Sequence, residues 1–103
     1  MKYFVIESIL KNPDIINDNI MKDHINYTQK AISENLILIS GLKSDMNGSI
    51  FIMKSNSIND IENYLNNEPF KKYNIQDYKI TEFSPHYFNS SNKWFINENK
   101  EEQ

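Results

Sequence analysis

Apolar positions along the chain alternate between a short period and a helical one, and each change marks an element. Residues 2 to 9 are β-branched and aromatic at short period and stop before Asn12-Pro13-Asp14, a strong turn signal, so a first strand and a loop are expected. From about Asp18 to Glu34 the period becomes helical: Met21, Ile25, Thr28 and Ile32 share one face, with Ile20, Tyr27 and Ala31 widening it. His24 falls inside this apolar arc, between Ile20 and Ile25. The helix should end near Asn35.

Leu36-Ile37-Leu38-Ile39-Ser40, closed by Gly41, is a compact apolar run suited to a strand buried on both faces. Asp45-Met46-Asn47-Gly48 carries the Asn-Gly turn signature and leads into Ser49-Ile50-Phe51-Ile52-Met53, so an antiparallel hairpin is predicted. Ser57 followed by Asp60 resembles a capping box, opening a helix on which Ile58, Ile61 and Leu65 recur at helical spacing. Asn66-Asn67-Glu68-Pro69 ends that helix, because the residue before a proline is pushed out of the α region. Pro69 can start a short turn through Phe70 and Tyr73. Gln76 to Phe83 then reads as a last strand, with Tyr78, Ile80 and Glu82 on one side and Lys79, Thr81 and Phe83 on the other.

The resulting order, βαββαβ, predicts an α+β fold of the ferredoxin-like type, a four-stranded antiparallel sheet with two helices on one face. The other face would be bare, yet the strands carry more aromatic and aliphatic residues than one face needs. A second copy of the chain is the simplest cover, so a homodimer through the open sheet face is expected. The domain is expected to span residues 1–88, with a tail from 89 to 103 in which Trp94 and Phe95 form a packing patch and Asn97 to Gln103 is loose.

Composition narrows the chemistry. At 103 residues the chain fits one domain with one modest core, and a hydrophobic fraction of 39% argues for a folded protein. The net charge of -3 and a pI of about 5.3 lack the basic excess that gathers phosphates, so nucleic acid is not expected as a partner. The absence of cysteine excludes disulfides, thiolate metal sites and cysteine nucleophiles together. The opening apolar run is interrupted at Glu7 with no cleavage site following, and no stretch approaches the ~20 apolar residues of a membrane span. A cytoplasmic protein without a membrane partner is the expectation.

Candidate chemistry then centres on His24. A lone histidine on an apolar helix face is more often a satisfied core residue than a catalyst, and both readings stay open from the pattern alone. Glu68 bears on the choice, because a carboxylate at the junction of a helix and a Pro-initiated turn has little structural reason to be there unless it caps the turn. Two helices side by side on one sheet face can bring the end of one to a side chain on the other. A carboxylate bonded to imidazole would fix its tautomer, as general acid or base chemistry requires. His86, in Ser84-Pro85-His86-Tyr87, reads as an exposed loop residue, and a metal site joining it to His24 lacks any ligand spacing. Gly41 and Gly48 bracket a hairpin and do not open a helix, so they form no phosphate cradle. Ser40 and Ser49 are either hydrogen-bond donors to a ligand or turn residues.

His24, then Ser40-Gly41, then Gly48-Ser49 opening a strand, then Glu68-Pro69-Phe70 and a closing strand with Phe83 together resemble the YCII-related (YciI-like) family over about residues 2 to 85. The resemblance implies a ferredoxin-like fold that dimerises into an α+β barrel, with a pocket at His24 and Glu68 as its acidic partner in a catalytic pair. It also implies a small-molecule ligand bound by Ser40, Gly41, Ser49 and Phe70, lyase or dehalogenase-like proton transfer, and no metal or organic cofactor. Two positions depart from the family pattern: Glu68 stands where an aspartate is usual, and Leu42 stands where a proline commonly follows the glycine. A non-catalytic metabolite-binding or regulatory module using the same pocket is the alternative. A haem-handling member of the barrel superfamily is a third reading, resting on fold analogy alone.

Overall fold

The computed structural model describes residues 1–89 and 91–95. The chain runs β1 (Lys2–Leu10), a single 3-10 turn (Pro13–Ile15), α1 (Asp18–Ser33), β2 (Ile37–Leu42), β3 (Ser49–Ser55), α2 (Ile58–Asn66), α3 (Pro69–Lys72) and β4 (Gln76–Phe83). The four strands form one sheet in the order β2-β3-β1-β4, and every neighbouring pair is antiparallel. This is the expected ferredoxin-like α+β architecture, with β1 and β3 in the middle and the helices on one face. No helix among the described residues is long and apolar enough to cross a membrane.

Local chemistry fixes the helix ends. The Asn17 side chain accepts from the Ile20 amide at 2.8 Å and starts α1. Asn35 then takes a left-handed conformation (φ 66°), while Leu36 N donates to Ala31 O and Asn35 N to Ile32 O, the paired bonds of a Schellman stop. The same device ends α3, where Asn74 is left-handed (φ 61°), Ile75 N donates to Phe70 O and Asn74 N to Lys71 O. Ser57 caps α2 by accepting from Asp60 N at 3.2 Å, and Asp60 receives the Ser55 hydroxyl at 3.2 Å.

The core lies between the sheet and the helices. Phe4, Ile6 and Met53 from the central strands meet Ile61 and Leu65 of α2, Ala31 of α1 and Ile37 of β2, with Tyr64, Tyr78 and Ile80 packed around them. The apolar arc of α1 sits differently from the expectation. Ala31 is buried and Ile20, His24, Tyr27 and Thr28 are half-buried, whereas Met21, Ile25 and Ile32 are exposed. The helix is turned so that its inward stripe includes His24 and Tyr27, which bond Glu68 and the Tyr64 carbonyl. The expectation for β2 is also corrected. It is an edge strand pairing only with β3, and beyond Ile37 its residues are half-buried or exposed, not enclosed on both faces.

The β2–β3 hairpin forms as expected, but its loop, Lys43–Gly48, is longer than a two-residue Asn-Gly turn, and Met46 (φ 62°) and Gly48 (φ 122°) are its left-handed residues. Gly48 has no substitute there, since a Cβ would lie 2.0 Å from the Ser8 carbonyl oxygen.

The open sheet face is covered at one end. Trp94 packs edge-on to Tyr3 at 5.6 Å, Lys54 Nζ donates to Trp94 O at 2.6 Å and sits 4.7 Å above its ring, and Trp94 Nε1 donates to Asn35 O. Burial lowers the Lys54 ammonium below the ordinary lysine value. At the other end Ile9, Ile39 and Ile50 are exposed. The expected packing role of Trp94 and Phe95 thus has a definite partner in Tyr3. The segment Asn97 to Gln103, expected to be loose, lies outside the described residues.

Candidate active site

His24 sits midway along α1 and turns its ring onto α3, where the Phe70 ring lies flat against it at 3.8 Å between centroids and 5° between planes. Its Nδ1 is 2.5 Å from Glu68 Oε1. The imidazole is about a quarter exposed, whereas Glu68 is 3% exposed. A carboxylate this deep is tolerated only if both oxygens have hydrogen-bond partners. The second oxygen, Oε2, accepts from the Phe70 amide at 3.0 Å, the Tyr78 hydroxyl at 2.8 Å and Gln76 Nε2 at 3.2 Å.

The position of Glu68 follows from its place in the chain. It is the N-cap residue of α3, with Pro69 at the first helical position holding the φ that a helix start needs. One carboxylate oxygen therefore caps α3 and the other faces α1. The two roles weighed from sequence, a cap for the turn and a partner for His24, are held by one side chain.

Three tyrosines surround the carboxylate. Burial, then the Glu68 charge, raises the Tyr78 hydroxyl well above the ordinary phenol value. Tyr64 is raised by burial, then by Tyr27 and Glu68, and Tyr27 is raised by burial and then Glu68. These phenols therefore stay protonated around neutral pH, and Tyr78 is the one that donates to the carboxylate. Tyr27 spends its hydroxyl on the Tyr64 carbonyl at 2.7 Å.

Beside the pair lies a cavity of about 280 Å³, between α1 and the far ends of β2 and β3. His24, Ile25, Thr28 and Gln29 of α1 form one wall, and Ser40, Gly41 and Leu42 of β2 face them. Ser49, Phe51 and Tyr78 form the sheet side, with Tyr64 and Glu68 beside them. Among the described residues no lysine or arginine lines it. The exposed side chains of Ile25 and Leu42 make the rim apolar. Ser49 is anchored from below: its amide donates to Ser8 Oγ at 2.8 Å, and the two hydroxyls are 2.8 Å apart.

The structure brings together most of the residues singled out from sequence. His24 and Glu68 are bonded, and Ser40, Gly41 and Ser49 line the cavity. Phe70 is not in the lining; it stacks on the imidazole and gives its amide to Glu68. His86 is exposed and stands outside the cavity, its ring 5.7 Å from that of Tyr87. Residues 43–47 and 70–74 are not in the lining, which comes from α1, the strands, Tyr64 of α2 and Glu68. Gln76, Tyr78 and Tyr64 were missed as site residues. The one available signal was Gln76, a polar residue on the inward phase of β4, in register with Tyr78 and Ile80.

With Nδ1 committed to the carboxylate, Nε2 is the nitrogen left for the cavity that the ring lines. A neutral imidazole held this way accepts a proton at Nε2, and its protonated form returns one from the same atom.

No protein-family model matches the chain, and no curated protein does. Among solved structures it is similar to 5-chloro-2-hydroxyhydroquinone dehydrochlorinase from Burkholderia phenoliruptrix AC1100, in complex with 2,5-dihydroxybenzoquinone. The two superpose with a TM-score of 0.67 at 18% identity, over 80% of this chain and 93% of the other. The likeness shows a shared fold.

Proposed function

We propose that this chain is a YCII-related (YciI-like) enzyme that performs acid–base chemistry of the lyase or dehalogenase type on a small, partly apolar, uncharged ring compound. The observation that carries the reading is the His24–Glu68 pair, with the carboxylate buried and hydrogen-bonded at both oxygens and the imidazole on the wall of a largely apolar cavity. The fold neighbour acts on a chlorinated hydroxyhydroquinone, and a cavity of this size suits one substituted ring.

In the proposed reaction His24 Nε2 takes the proton of a ring hydroxyl, and the O–H electron pair becomes the carbonyl. The imidazolium, its charge balanced by Glu68, returns that proton to a ring carbon. Removal of a second hydroxyl proton then expels a leaving group from the same, now tetrahedral, carbon as an anion. The net change is loss of HX, with His24 alternating between base and acid. Ser40 and Ser49 supply hydroxyls to orient the substrate oxygens, and Phe70 holds the imidazole plane.

The protein acts as a homodimer in this reading, the exposed Ile9, Ile39 and Ile50 on the open sheet face meeting their copies. The test is halide release from a panel of halogenated hydroquinones. His24→Ala should reduce turnover at least about 100-fold, the range of a lost general acid–base group, with the fold retained. Undiminished turnover in that variant overturns the proposal. A second reading, a binding module without chemistry, is favoured by one fact: Glu68 already serves as the cap of α3. Tight ligand binding with no turnover, unchanged by His24→Ala, would select it.

A further inference from the structure

We propose that Gln76 and Tyr78 are positioning residues that hold Glu68 in the one orientation able to set the tautomer of His24. The inference rests on reading His24 and Glu68 as an acid–base pair and explains how a glutamate can serve that pair. A glutamate has one more rotatable bond than an aspartate, so a single cap bond from Phe70 N leaves the carboxylate free to swing. Two further donors remove that freedom, and both come from β4, where positions 76 and 78 share the inward face.

The bonds run in a fixed direction. Gln76 Nε2 lies 2.7 Å from the Tyr78 oxygen and 3.2 Å from Glu68 Oε2, and as an amide nitrogen it donates to both. The Tyr78 oxygen, accepting from Gln76, turns its own hydrogen to Oε2 at 2.8 Å. Burial and the Glu68 charge both keep that phenol protonated, consistent with its role as donor. Three neutral donors therefore converge on Oε2, and Oε1 is left to His24. An ionised carboxylate only accepts, so Nδ1 must carry the hydrogen and Nε2 presents its lone pair to the cavity. Gln76 is 4% exposed and Glu68 3%, so the bonds between them are withdrawn from bulk solvent.

Long-range proton–nitrogen correlation spectra of the histidine rings, taken on the full chain at mildly alkaline pH, test this without any substrate. The intact protein should show His24 as the Nδ1–H tautomer. In Tyr78→Phe and in Gln76→Leu, each close in shape, the Nδ1–H to Nε2–H ratio should fall about fivefold, the equivalent of one net hydrogen bond. An unchanged ratio in both folded variants overturns the positioning role and leaves the His24–Glu68 pair standing. An Nε2–H ring in the intact protein overturns the pair itself. Loss of the folded amide spectrum in both variants also overturns the proposal, since the two groups would then hold the fold and not the tautomer. If only one variant unfolds, the ratio in the other decides.

Discussion

A buried carboxylate is costly to any fold, and Glu68 is retained because each of its oxygens completes something: Oε2 the start of α3, Oε1 the imidazole of His24. Its charge is also felt by the phenols around it. Tyr78, Tyr64 and Tyr27 all have folded values above the ordinary one, so their protonated forms favour the native state. A raised value contributes stability that is fully present below the unfolded value of about 10 and is lost as pH rises through the folded values. Stability to urea should therefore decline steeply above about pH 10. The phenolates of Tyr64 and Tyr78 should appear in absorbance only as the fold is lost. Their appearance with the fold intact would contradict the burial described. At this scale the sequence singled out His24 and Glu68 and left a packing role and a site role both open. It could not show that Gln76 and Tyr78 complete the carboxylate's shell, because those bonds depend on how β4 lies beneath α3.

Elements were legible where local chemistry decides them and less so where neighbours do. The ends of α1 and α2 followed from Asn35 and Ser57, and Pro69 marked the start of α3. The burial of β2 did not follow, since an apolar run reads the same at an edge as in the centre, and only sheet order distinguishes the two. Periodicity likewise located α1 but not its rotation, for Met21, Ile25 and Ile32 lie beside the stripe that packs inward. The loop before β3 offers the sharpest test of an element. Gly48 combines φ 122° with a carbonyl where its Cβ would be, so Gly48→Ala should cost at least about 2 kcal/mol in chemical denaturation, through backbone strain and displacement of β1. Because Ser8 and Ser49 are joined at this point, the same variant should also loosen the sheet side of the cavity. A loss within 0.5 kcal/mol, the range of a neutral surface change, would mean that the hairpin bends freely.

For the whole molecule, the sequence pattern specified one layer of helices on one face of an antiparallel sheet, and that is the architecture found. It also implied that the opposite face needs a cover, and the chain itself covers the part around Tyr3 with Trp94 and Phe95. What remains is the patch around Ile9, Ile39 and Ile50, on the end of the sheet toward the hairpin. If a second copy seats there, Ile39→Lys should convert the dimer to monomer in sedimentation, since a lysine on an edge strand opposes strand and face association alike. Ile39 is 60% exposed, so the monomer should keep its fold. A dimer unaffected by this change would place the interface elsewhere.

The placement of the C-terminal aromatic patch has an optical consequence. Trp94 is the chain's single tryptophan; it is buried against Tyr3 beneath the Lys54 ammonium, on the opposite side of the sheet from the cavity. Its emission should be blue-shifted relative to indole in water and should stay constant as a ligand fills the space beside His24. It should move to the red only when residues 94–95 leave the sheet. Tryptophan emission in this protein thus reports the packing of the C-terminal patch and not the filling of the cavity, and the two can be followed independently in one sample.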